Sequence, residues 1–233
     1  MSCNPPNDCI ILHLFEEALR KILVEDYYLL ENNLNERSIT HKLGEKLTNL
    51  FDEFCLDVDC EFNRNLSKPK EIGIDPEYLL GKMKNFMEDN VYKNMIRDKI
   101  IDDELGITYE QFYQAIKDSK VINSKFYETS TYLLKLGKKR IRKKIIPDVI
   151  VHKRGTNEHN LLVIEAKKSC NTGDAVYADI VKLATLVTDK KYNYRLGVFV
   201  NFPVLKDVNK TGRFVRCHSV FENVYEYSFT PCN

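Results

Sequence analysis

Apolar residues along the start of the chain recur at the spacing of a helix. Ile11, Leu14, Ala18, Leu19 and Ile22 fall three or four positions apart, which predicts an amphipathic helix over about 10–30. After a polar break at 31–35, Ile39, Leu43, Leu47, Leu50 and Phe54 share one face of a second helix over about 36–54. The period then changes. Val58, Cys60 and Phe62 alternate with Asp59, Glu61 and Asn63, as in a half-exposed strand. Lys68-Pro69-Lys70 and Gly73-Ile74-Asp75-Pro76 read as loops, and helical patterns follow at 78–101, 109–116 and 126–136.

Two β-branched runs come next, 145–151 and 161–165, joined by a turn containing Gly155 and Asn157. Thr172-Gly173-Asp174 starts a helix to about Thr188, with Val176, Ile180, Leu183 and Val187 as its apolar face. A strand over 195–201 and a loosely alternating tail over 214–229 complete the chain. Strands alternating with helices predict an α/β core. The reading is a single domain over 1–233, with 66–144 as a helical insertion between two parts of one sheet.

The 233 residues suffice for one buried core, and 43% hydrophobic with 30% charged residues is a globular mixture. No apolar run approaches membrane thickness, and Asp8 stands where a secretory leader would carry basic residues, so an intracellular, cytoplasmic protein with no membrane partner is expected. Seven scattered cysteines without Cys-x2-Cys pairs predict reduced thiols rather than a zinc site. A net charge of +1 neither indicates nor excludes nucleic acid, because the placement of charge matters more than its sum.

The chemistry concentrates in Pro147-Asp148, the turn, and Glu165-Ala166-Lys167. Residues two apart in a strand face the same way, so Glu165 and Lys167 share a side, and the neighbouring strand can bring Asp148 to them. Two carboxylates so close repel one another, and a divalent cation removes that penalty. Hard oxygen ligands suit magnesium or manganese, with an adjacent ammonium to orient water or stabilise phosphate charge. Asp189-Lys190-Lys191 has the same spacing but lies in a polar connection, whereas Glu165 ends an apolar run.

The run Ile-Pro-Asp-Val-Ile-Val-His, a short turn, and Leu-Leu-Val-Ile-Glu-Ala-Lys-Lys resembles the core of the PD-(D/E)xK nuclease superfamily. The resemblance covers about 36–65 and 145–201, and the long stretch between them departs from it. It implies a restriction-endonuclease-like mixed sheet flanked by helices and magnesium- or manganese-dependent hydrolysis of phosphodiester bonds, with DNA favoured over RNA as the substrate. Asp148 and Glu165 would be metal ligands and Lys167 the catalytic lysine, with the carbonyl of Ala166 as a further ligand. A glutamate on an earlier helix commonly joins such a site. At about 100° per residue, Glu36 aligns with Leu43, Leu47 and Phe54 whereas Glu45 falls on the solvent side, so Glu36 takes the role. An acidic residue in a first helical turn also simply favours the helix dipole.

Lys135, Lys138, Lys139, Arg140, Arg142, Lys143 and Lys144 crowd together just before Asp148 and suggest a phosphate-contacting track. Lys168 and Lys182 are further candidates for nucleic-acid contact. His152 is read as a structural residue outside the site. An inactive nucleic-acid-binding or assembly module of the same fold is the alternative, and homodimerisation is left open.

Overall fold

A computed structural model describes residues 4–66, 68–87, 124–137, 139–169, 173–208 and 212–231. Asn7 caps the first helix, α1 (Asp8–Glu25), by accepting the Ile10 N–H, and the chain bends at Asp26 into the short α2 (Tyr27–Glu31). The single helix expected over 10–30 is thus two. Asn35 caps α3 (Glu36–Phe51) through the Arg37 N–H. Strand β1 (Asp57–Cys60) follows α3 and packs so close to it that a side chain at Gly44 would collide with Cys60 Sγ.

Short strands β2 (Arg64–Asn65) and β3 (Lys68–Pro69) pair with each other, and β4 (Glu71–Ile74) leads into α4 (Pro76–Met87). After α5 (Ser124–Leu136), strand β5 (Ile141–Lys144) returns antiparallel to β4. The segments expected as loops around 68–76 are therefore largely strand, and the end of the basic track, Arg142 to Lys144, is itself strand. Proline is accepted in β3 because that two-residue strand pairs on one side only, with β2, and Pro69 stands at its end. The helices expected beyond Met87 and over 109–116 lie outside the described residues.

Strands β6 (Val149–His152) and β7 (Leu162–Lys168) form an antiparallel hairpin, and α6 (Asp174–Thr188) carries the chain to β8 (Leu196–Phe202), parallel to β7. The tail expected as one loose strand is a hairpin of β9 (Arg213–Phe221) and β10 (Val224–Thr230). The main sheet has six strands in the order β1-β6-β7-β8-β10-β9, with parallel and antiparallel neighbours mixed.

Helices cover both faces. Val149, Val151, Leu162, Ile164, Val198 and Val200 pack against α1 and α3. Ile150, Val163 and Phe199 pack against α6 together with Leu79, Leu80 and Met83 of α4 and Leu133 of α5. The described part of the 66–144 segment therefore shares the core of the sheet. Central strands buried on both faces read as continuous apolar runs, which is how β6 and β7 were visible in the sequence.

Cys9, Cys60 and Cys217 are free, whereas Cys55 is disulfide-bonded. That departs from the expectation of reduced thiols, since separation along a chain says nothing of proximity after folding. No helix among the described residues is long and apolar enough to cross a membrane.

Candidate active site

The β6–β7 register pairs Val149 with Ile164 and Ile150 with Val163. One step further along the same ladder, Asp148 stands opposite Glu165, and both fall on the face that carries Ile150 and Val163, beneath α6. The Ala166 N–H donates to Asp148 Oδ2 at 2.8 Å, which fixes the carboxylate against the strand. Glu165 is only 1% exposed. Its Oε2 is 2.6 Å from Lys182 Nζ, but its Oε1 is buried with no hydrogen-bond partner among the described residues.

Lys167 reaches Glu36 Oε1 and Asp179 Oδ2, each at 3.1 Å, and donates to the Ala166 carbonyl at 3.1 Å. Lys182 also reaches Asp179 Oδ1 at 3.0 Å. The side chains form an alternating chain, Glu36–Lys167–Asp179–Lys182–Glu165, with Asp148 alongside. Four carboxylates thus face two ammonium groups. Asp179 and Lys182 are the residues the sequence reading undervalued: it omitted the first and assigned the second to nucleic-acid contact. Their i, i+3 spacing on α6, beside the stripe of Val176, Ile180 and Leu183, was the available signal.

Burial pushes the Glu165 carboxyl well up, reinforced by Asp148 and Asp179 and opposed by Lys182. Burial also raises Asp148, against the Ala166 N–H and Lys167. For Lys167 and Lys182 burial acts downward, but the surrounding carboxylates outweigh it and hold both ammonium groups above their ordinary value. Acids resisting ionisation beside amines that hold their protons describe a site short of positive charge.

The oxygens of Asp148 and Glu165 and the Ala166 carbonyl are a hard donor set that fits magnesium or manganese in kind, and the orphaned Glu165 oxygen supplies the unmet demand. Among the described residues, no three or more His, Cys, Asp or Glu side chains are grouped to hold an ion. The lysines stand between the carboxylates instead, and Glu36 is engaged by Lys167. Glu45, on the solvent side as expected, pairs with Lys42.

Beside the acids lies a cavity of about 320 Å³, lined by Asp179, Lys182, Lys143, Lys144, Ile146 and Tyr132 among others. The basic strand and the acidic cluster therefore open into one space. Lys139, Arg142, Lys143 and Lys144 are solvent-exposed, and Arg140 is exposed and paired with Asp75 at 3.0 Å. Lys138 lies outside the described residues. Lys168 donates to Asn33 Oδ1 at 2.9 Å and so ties down the turn before α3. His152 is buried and bonded to Asp59 at 2.8 Å, remote from the acids at the other end of β6. Asp189, in the competing motif, accepts the N–H of Lys191 within its own turn and is not drawn into the site.

No family model, curated protein or solved structure matches this chain.

Proposed function

We propose that the protein is a metal-dependent nuclease of the PD-(D/E)xK type, with a restriction-endonuclease-like fold, that hydrolyses phosphodiester bonds in DNA. The observation that carries this reading is Glu165: a buried carboxylate opposite Asp148, with one oxygen left without a partner among the described residues. Such an atom costs about 1–3 kcal/mol unless something satisfies it, so a structure that keeps it has a use for it.

Asp148, Glu165 and the Ala166 carbonyl would hold magnesium or manganese. The chemistry such an ion supplies is neutralisation of phosphate charge and polarisation of the attacking water. Lys167, held by Glu36 and Asp179, presents a fixed ammonium where negative charge develops on the phosphate. Asp148 is positioned by the Ala166 N–H, so the hairpin ladder sets its placement rather than a loop. Lys143 and Lys144, exposed at the mouth of the adjoining cavity, steer the backbone of the substrate towards the acids.

The test is cleavage of single- and double-stranded DNA and RNA with magnesium or chelator present. Cleavage that ignores chelation would refute the reading. The phosphate-track role of β5 adds a quantitative expectation. Each of Lys143→Ala and Lys144→Ala should reduce the slope of log affinity against log salt by about 1, measured by fluorescence anisotropy in calcium. An unchanged slope would place the substrate elsewhere.

A second reading, an inactive nucleic-acid-binding or assembly module, is favoured by one observation: the Lys182 ammonium already sits 2.6 Å from Glu165. If that pair is permanent, magnesium will not bind. Calorimetric titration of magnesium into parent protein and Glu165→Gln separates the two, because only the nuclease reading predicts binding that the variant loses.

A further inference from the structure

Lys70 lies at the far end of the same sheet face from Asp148, between β3 and β4. It is 2% exposed, yet among the described residues no carboxylate comes within ion-pair distance of its ammonium. Its Nζ donates to the Tyr194 hydroxyl at 3.0 Å and lies 5.4 Å and 5.3 Å from the ring centres of Phe62 and Tyr194. One phenol and two ring faces leave most of its hydrogen-bonding capacity unused. Asp59, whose negative charge acts on Lys70, spends its oxygens on His152 and Arg154. Burial pushes the Lys70 ammonium down to about 8, so at neutral pH the charge is still present.

This ammonium opens on a cavity of about 290 Å³. Phe62 and Tyr194 supply flat walls, Arg64 a second cation, and Asn157 and Asn160 polar groups, while no acidic residue lines it among the described residues. A buried cation without a counter-charge, facing a space free of carboxylates, is costly to keep unless an anion shares that space. We propose that this cavity binds a small organic anion through a terminal phosphate or carboxylate, with Lys70 as its counter-charge. The size of the cavity limits the ligand to a metabolite rather than a polymer. The proposal does not depend on the nuclease reading, since none of its residues belongs to the acidic cluster.

The experiment is thermal unfolding of the full chain with inorganic phosphate, adenosine monophosphate or succinate, at ionic strength matched with chloride. Parent protein should be stabilised by the phosphate compounds, by succinate, or by all three, and the pattern identifies the head group. Lys70→Met keeps the volume between the rings and removes the charge. It should weaken binding about tenfold or more, while the unliganded variant unfolds at a higher temperature than the parent. Asp148→Ala should bind as the parent does, which separates this site from the acidic one. Should Lys70→Met not fold, labelling of the parent with trinitrobenzenesulfonate supplies the same answer: Lys70 reacts, and the stabilising anion protects it. No stabilisation of the parent by any of the three, equal stabilisation of parent and variant, or labelling of Lys70 that the anion leaves unchanged would overturn the proposal.

Discussion

Replacing Lys167 with alanine is expected to lower the rate of DNA cleavage by about 10²–10³-fold, with Asp148→Ala at least as damaging. The two losses have different origins. Lys167 is a fixed charge, tied at 3.1 Å to both Glu36 and Asp179, so its removal takes away stabilisation without moving the carboxylates that would hold the ion. Magnesium affinity should therefore survive Lys167→Ala and fall in Asp148→Ala. Glu45→Ala supplies the control, since Glu45 is exposed and pairs with Lys42, and its cleavage rate should match the parent. Single-turnover kinetics over a magnesium series separates binding from chemistry. If both active-site variants cut like the parent, the assignment of this site is wrong.

The second large effect is on stability. Lys182→Met leaves Glu165 buried with no cationic partner and, in the absence of a divalent ion, no other among the described residues. Removing one member of a buried pair costs about 3–5 kcal/mol, read from denaturant unfolding at neutral pH in chelator. The pH dependence has a defined sign. The folded Glu165 carboxyl titrates above its unfolded value of 4.5, and losing Lys182 moves it further up. A carboxyl raised on folding favours the folded state below the unfolded value, and that stability is lost as pH rises through the folded one. The deficit of Lys182→Met should accordingly shrink on acidification towards 4.5 and widen towards neutrality. A deficit independent of pH would mean that lost packing, not lost charge, is responsible.

The two-layer covering of the sheet and the strands that carry the site were legible because they bury one or both faces. Leu162, Val163 and Ile164 announce a central strand, and Glu165 stands out by interrupting it. Strand β5 was not legible as a strand, since Ile141-Arg142-Lys143-Lys144 exposes three of its four side chains and leaves no alternation to read. Asp179 and Lys182 were underestimated for another reason. On a helical wheel they are ordinary flanking polar residues, and only the packing of α6 across β7 turns them towards Glu165. Helical phase singled out Glu36 on α3, but it could not reveal that a lysine would take up its oxygen. The disulfide at Cys55 was likewise beyond spacing arguments.

Asp148 and Lys182 stand equally far from Glu165 along the chain, and they reach it through the β6–β7 hairpin and through α6 respectively. Loop-closure entropy therefore favours neither contact, and if the hairpin forms first the two acids meet before the amine arrives. In that order of assembly, folding passes through a repulsion that the finished molecule relieves with Lys182. Asp148→Asn should refold faster than the parent in stopped-flow experiments, by a margin that fades as acid protonates the pair. Equal refolding rates at neutral pH would mean that the helix docks first and the chain never passes through that repulsion.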